Sequence, residues 1–294
     1  MAVLGVDVSL GRGLDVALVE DGLVKGWWSA VGAARLSELL RELRPRAVGI
    51  DSPPSKGLGL LRHEAERARL PVPPAPGKHV ARRVAEYELS RRGIGSHQTH
   101  FDETRLFSWM TAGFEAFRAA EAAGFAPYLG EGSPHGGALE VFPYASYVAL
   151  AGCLSPGRRW RLAWRRSVLE VAGVRGLPED AAIDLVDAAC AAFTVERFLS
   201  GDGSAVGDPR EGSIVLPVCD LLDRYRRCPP LEARVRPSEA ARLCECGCGA
   251  PARRRFLPGH DSKLKSRLRR EARAGDAARA ELARLGWSKF VERE

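Results

Sequence analysis

Residues 3–10 read VLGVDVSL, an apolar run with a single carboxylate, Asp7, at its centre. Its length and β-branched content predict a buried strand. An ionised carboxylate costs roughly several kcal/mol to bury unless it is paired or coordinates a metal. Two other stretches repeat the anomaly. RAVGIDSPP (46–54) puts Asp51 at a strand end, and AAIDLVDAACAAFTV (181–195) puts Asp184 and Asp187 three residues apart in an otherwise apolar helix, on one face. Together the four carboxylates predict a divalent-metal site, and metal sites of this type commonly cleave phosphodiesters.

Working outward, GLDVALVEDG (13–22) alternates apolar and polar residues and ends in Asp-Gly, and LVKGWWSAV (23–31) follows as the return strand of a hairpin. AARLSELLREL (33–43) has helical periodicity stopped by Pro45, and RAVGID is a short buried strand ended by Ser52, Pro53 and Pro54. A three-strand meander, a helix and a strand returning beside the first give a mixed sheet with Asp7 and Asp51 on neighbouring strands. Residues from about 55 to 137 read as an insertion. It holds the proline-rich LPVPPAPG (70–77), the basic KHVARRVAEYELSRRGIG (78–95) and a helix around LFSWMTAGFEAFRAAEAAG (106–124). ALEVFPYASYVAL (138–150) resumes as strand and turn, with Glu140 near the strand end. RRWRLAWRRSVLEVAG (158–173) predicts a basic amphipathic helix. LPEDAAIDLVDAACAAFTVERFL (177–199) predicts a long helix opened by Pro178, Glu179 and Asp180, and GDPREGSIVLP (207–217) contains a closing strand.

The chain of 294 residues is long enough for one large domain and a small module, and its 45% apolar content supports a proper core. The expected division is 1–222 for the first and 223–294 for the second. Net charge is +7, unevenly spread: residues 224–294 carry 19 Lys+Arg and 9 Asp+Glu, against 25 and 28 before them. A basic tail beside an acidic metal site suits a nucleic acid, whose phosphates the tail attracts. Arg outnumbers Lys 38 to 6, a bias that genome composition can produce without any such partner. No apolar run approaches the length of a membrane span and no secretory leader pattern opens the chain, so the expectation is a soluble, cytoplasmic protein with no membrane partner.

The ordered pieces GVDVSL, GIDSPP, RRVAEYELSRRGIG, LEVFPYAS, AIDLVDAACAAFT and GDPREGSIVLP, over about residues 3–217, resemble the domain-of-unknown-function 429 family of predicted RNase H-like nucleases. Strand order and the late D-x-x-D helix are also similar to the RuvC-type Holliday-junction resolvases. The resemblance implies an RNase H-like fold, a mixed five-stranded sheet flanked by helices. It further implies that Asp7, Asp51, Asp184 and Asp187 gather around Mg²⁺ or Mn²⁺, with Glu140 at the family's acidic position after the next strand. Metal-dependent cleavage of DNA or RNA is the implied activity. A nucleic-acid-binding protein of the same fold that no longer reacts is the alternative. A sugar-kinase/actin-type ATPase, suggested by DVSLGRG (7–13), needs a second Asp-Gly phosphate loop, and the GDG at 201–203 reads better as a turn.

Mg²⁺ suits the carboxylates because it takes oxygen ligands, keeps several waters and leaves room for a substrate phosphate. His97 and His100 are candidate helpers from the insertion; His63 and His79 have no distinguishing spacing. The C-terminal CECGCGAPARRRFLPGHD (244–261) carries Cys244, Cys246, Cys248 and His260, a three-Cys, one-His set for structural Zn²⁺, with Cys228 or Asp261 as substitutes. Arg253, Arg254 and Arg255 and the basic KLKSRLRREAR (263–273) make this module a phosphate-backbone binder. Cys153, Cys190 and Cys219 lie in apolar contexts and read as core.

Overall fold

A computed structural model describes residues 2–9, 11–229, 242–246, 248, 251–252, 256, 260–272, 275–285 and 287. Arg253, Arg254 and Arg255 lie outside the described residues. The chain divides into two compact units, Met1–Leu231 and Glu232–Glu294.

The first unit begins with β1 (Val3–Ser9), β2 (Gly13–Glu20), β3 (Leu23–Val31), α1 (Ala33–Leu43) and β4 (Val48–Ile50). The segment that follows holds short α2 (Glu64–Ala68), α3 (Val84–Arg91), α4 (Ser108–Ala122) and β5 (Ala126–Tyr128). Then come β6 (Gly137–Val141), α5 (Pro143–Ala151), α6 (Arg161–Ala172), α7 (Ile183–Leu199), β7 (Ser204–Asp208) and β8 (Gly212–Leu216). These strands form one mixed sheet of eight, ordered β3-β2-β1-β4-β6-β8-β7, with β5 beside the start of β6. β1, β4, β6 and β8 run parallel, and β2, β3 and β7 are antiparallel to their neighbours.

The sheet is thus larger than the five strands expected. β5 has three residues with Pro127 at its centre, and proline is tolerated only where a strand leaves one edge unpaired. β7 follows the GDG turn directly, so its five residues were absorbed into that turn. Two helices also depart from expectation. α5 replaces the expected turn after β6, with Pro143 at its first position, and α7 starts at Ile183, after the Pro-Glu-Asp group rather than on it.

Helices cover both faces. α1 and α4 bury Leu36, Leu39, Leu40, Ala116, Phe117 and Ala120 against Leu4, Val6, Val16, Val48 and Ile50. On the other face α7 lies over β1 and β4 at unusually close range. A Cβ on Gly5 would stand 2.0 Å from the Ala188 carbonyl oxygen, and one on Gly49 2.8 Å from that of Ala191. Gly5 and Gly49 are register partners on adjacent strands, so together they make a flat seat for the alanines of α7. Because side chains alternate along a strand, Asp7 and Asp51 fall on the same face as these glycines. On the opposite face Gly113 of α4 admits Ser52, whose Oγ would lie 1.7 Å from a Cβ there, which fixes the turn after β4.

Cys153 is joined to Cys228 in a disulfide across 75 residues, which removes Cys228 from the zinc candidates. Backbone pairing holds the two segments together there: Leu154 N donates to Arg226 O at 2.8 Å and Cys228 N to Leu154 O at 2.8 Å. Disulfides persist mainly in oxidising compartments, so this bond is the feature of the first unit that sits least well with a cytoplasmic reading. Cys190 is buried, but Cys219 is exposed rather than core. Among the described residues no helix is long and apolar enough to cross a membrane.

The second unit contains β9 (Arg242–Leu243) paired antiparallel with β10 (Pro251–Ala252), then α8 (His260–Glu271) and α9 (Asp276–Arg284). Leu264, Leu268, Ala272, Leu282 and Leu285 form its small core, with Cys246, Phe256 and Trp287 packed against them.

The glycine seat makes a direct prediction. Gly5→Ala should lower the unfolding free energy by about 1–3 kcal/mol in urea denaturation, because the backbone of α7 cannot give way as a side chain would. Gly95→Ala, which meets nothing within 4 Å, should change it by less than about 0.5 kcal/mol. Equal effects at the two positions would refute the close-approach account.

Candidate metal centre and its surroundings

The seat on β1 and β4 decides where the carboxylates go. Asp7 leaves β1 two residues beyond Gly5, Asp51 leaves the end of β4 two residues beyond Gly49, and Asp187 is the α7 residue just before Ala188. All three therefore arrive at one end of the same seam. Asp7 and Asp51 are close enough that one carboxyl, when protonated, can hydrogen-bond the other. Burial pushes Asp7 up to about 10, with the charges of Asp51, Asp187 and Asp184 adding to it. Burial also pushes Asp51 up to about 8, with Asp187 the next contributor. Asp187 rises to about 6 through burial, held back by Arg165. In physical terms these carboxyls share a site that lacks the positive charge needed to ionise them all.

Arginines engage two of the four aspartates. Arg165 of α6, itself buried, donates through Nη1 to Asp187 Oδ2 and stacks over the Tyr147 ring at 5.2 Å. Asp187 Oδ1 and Arg165 Nε remain buried without a hydrogen-bond partner. Asp184, one turn earlier and at the rim, pairs with the exposed Arg12. Surface pairs of that kind contribute about 0–1 kcal/mol, so Arg12 is easily displaced. Asp15 is a residue that sequence reasoning missed: the β1–β2 register sets it directly across from Asp7.

Glu140 stands at the edge of this group: it shares a cavity wall with Asp51 and Asp187 and its charge adds to the rise at Asp51, but in register it pairs with Ile50 rather than Gly49. It takes a bidentate ion pair from the buried Arg83, whose Nη1 lies 2.8 Å from Oε2. Arg83 Nε also reaches Glu86 at 3.2 Å, and its Nη1 reaches the Glu211 carbonyl at 3.1 Å. Glu211 in turn accepts from the backbone nitrogens of Val84 at 2.7 Å and Leu58 at 3.1 Å. This network pins the start of α3 to β6 and the β7–β8 turn. His100 is buried and accepts from the Asp102 backbone nitrogen at 2.9 Å through Nδ1, which uses it structurally.

A cavity of about 380 Å³ opens beside the cluster, with Asp51, Asp187, Glu140, Arg165, His97, Trp109 and Tyr144 in its wall. The donor set fits a hard divalent cation: carboxylate oxygens, an orphaned Asp187 oxygen and a neighbouring cavity for waters and a phosphate.

A second ligand set lies in the C-terminal unit. Cys244, Cys246, Cys248 and His260 present one ligand atom each, all within 4.8 Å of one another. The Cys244 and Cys246 sulfurs are 3.3 Å apart, and His260 Nδ1 lies 3.2 Å from Cys246 Sγ and 3.8 Å from Cys244 Sγ. A tetrahedron with Zn–S and Zn–N bonds of ordinary length has edges of roughly 3.4–3.8 Å, so this set is of a size that could hold a metal ion such as zinc.

No protein-family model matches the chain, and no curated protein matches it. Among solved structures, Thermus thermophilus RuvC matches at 16% identity with a TM-score of 0.35, over 68% of this chain and 95% of that one. T. thermophilus RuvC in complex with a Holliday junction substrate matches at 15% identity with a TM-score of 0.33, over 68% and 94%. The chemistry of the site accordingly stands on its own residues.

The raised carboxyls set a pH dependence. A group whose folded pKa exceeds its unfolded value near 4 contributes stability that is complete below about pH 4 and is lost as pH rises through the folded pKa. For Asp51 and Asp7 the decline starts above about pH 4 and is complete only at about 8 and about 10. Metal-free protein should therefore melt at progressively lower temperature between about pH 6 and 9. Asp7→Asn should flatten the decline, and Mn²⁺ should reverse it. A melting temperature that climbs over this range in calorimetry would contradict the assignment.

Proposed function

We propose that the chain is a metal-dependent phosphodiesterase of RNase H-like fold that cleaves nucleic acid. The observation that carries this reading is the convergence of Asp7, Asp51 and Asp187 from two strands and a helix into one buried, under-neutralised group. Asp7, Asp51 and Asp187 would hold Mg²⁺ or Mn²⁺, with Asp184 joining from the rim once Arg12 is displaced. When bound, such an ion activates water and stabilises the leaving oxygen. The protein's own part is positional. The Gly5 and Gly49 seat fixes the spacing of the ligands, and Arg83 holds Glu140 so that the cavity wall keeps its shape.

The partner class follows from charge. α8 displays Lys263, Lys265, Arg267, Arg269 and Arg270, which supports contact with a phosphate backbone without base readout. Zn²⁺ on Cys244, Cys246, Cys248 and His260 would fix the start of that helix, because His260 is its first residue.

A second reading, a binding protein of the same fold that no longer reacts, is favoured by the Arg165–Asp187 and Arg12–Asp184 pairs. The two readings part on one assay. If the first holds, single-stranded, duplex, hybrid or branched nucleic acid is cut in Mg²⁺ or Mn²⁺, and Asp7→Asn and Asp187→Asn reduce the rate more than about a hundredfold while the protein stays folded. Binding that weakens with salt, with no product from any substrate in either metal, would establish the second.

For the C-terminal unit, metal analysis should return one Zn²⁺ per chain, and Cys246→Ser should release it. With so small a core, the metal-depleted unit should lose its helical signal and become a substrate for trypsin. A metal-free unit that resists trypsin as well as the loaded one would remove the structural role.

A further inference from the structure

The cavity beside the aspartates is lined by two kinds of group. Near Asp187 stand two guanidinium groups with donors to spare. Arg165 Nε is buried with no partner. Arg161, an exposed residue in the cavity wall, makes no ion pair or hydrogen bond among the described residues, and its charge reaches Asp187. Arg83, the other arginine in the wall, is fully engaged by Glu86, Glu140 and the Glu211 carbonyl. Four aromatic rings also line the wall: His97 meets Trp109 edge-on with centroids 5.7 Å apart, and Phe142 lies 6.0 Å from Tyr144.

We propose that this cavity is the subsite for a single unpaired nucleotide, its phosphate held between the metal-ligand aspartates and Arg161 and Arg165, its base against His97, Trp109 and Tyr144. This rests on the phosphodiesterase reading and narrows its substrate to nucleic acid that is single-stranded or looped out at the scissile position. Size is the first reason. A cavity of about 380 Å³ is at the small end of ligand sites and holds one nucleotide, whereas a continuous duplex cannot enter it. Chemistry is the second. Unpartnered guanidinium donors call for an anionic oxygen, and aromatic faces are the sequence-tolerant way to hold a base removed from its stack. An enzyme that reads a nucleotide in this way needs it extruded or already unpaired.

The test uses adenosine 5′-monophosphate and the full chain in Mn²⁺, followed by isothermal titration. One molecule should bind per chain. Its affinity should fall by about tenfold or more in Trp109→Leu and in Arg161→Gln. Arg161 is exposed, so its variant folds even if the Trp109 variant does not. In parallel, one sequence is offered single-stranded and fully paired, and the single strand should be cut at least about tenfold faster. Absent saturable binding, binding indifferent to both substitutions, or duplex cut as fast as the single strand overturns the subsite. Nucleotide binding that both substitutions weaken, with no cleavage of either strand, upholds the subsite and overturns the phosphodiesterase reading. Cleavage without nucleotide binding does the reverse.

Discussion

The contact between α7 and the paired glycines of β1 and β4 governs the first unit. A helix normally packs on a sheet with side chains between the two backbones; here Gly5 and Gly49 remove them on one side, and alanines at 188, 191 and 192 minimise them on the other. The approach is close enough that carboxylates flanking the seam cannot avoid one another. Asp7 and Asp51 follow the glycines by two residues each, and Asp187 precedes Ala188. The same packing that stabilises the sheet by apolar burial therefore concentrates like charge at its carboxyl end.

That concentration is opposed by arginines arranged with different strengths. Arg83 is buried and bonded on every side, so its pairing with Glu140 is permanent architecture, fixing an insertion to the sheet. Arg165 has one satisfied arm and one orphaned nitrogen, and the carboxylate it meets also keeps an unpartnered oxygen. A buried pair left half-satisfied on both sides is a poor end state. It is a reasonable resting state for two groups that each have another partner to meet, a cation for Asp187 and an anionic oxygen for Arg165. Arg12, exposed and tied among the described residues only to Asp184, can exchange at little cost.

Much of this was legible along the chain. Alternation, the Asp-Gly turn and the Pro45 stop located β1 to β4 and α1, and carboxylates inside apolar runs marked the cluster. What escaped depends on neighbours remote in sequence. Arg83 and Arg165 sit among many arginines in basic stretches, and nothing local distinguishes the two that become buried. That Glu140 pairs with Ile50 follows from strand register, which single strands do not encode. Cys153 and Cys228 lie 75 residues apart and meet because Leu154 pairs with the segment before Cys228. β5 and β7 were too short, or too near a turn, to show a period of two.

The C-terminal unit was legible for the opposite reason. Its four candidate ligands lie within 17 residues, so the tight spacing of Cys244, Cys246 and Cys248 ahead of His260 constrains their geometry without any remote contact. Among the described residues its core is a cluster of five buried apolar side chains, and a core of that size gives a free-standing module little burial energy. Cys246 packs against that core while offering its sulfur to the ligand set, which couples the two: whatever holds the sulfurs together also holds Leu264 and Leu268 of α8 in place. A metal there would act on folding first, and on the display of the basic residues of α8 as a consequence.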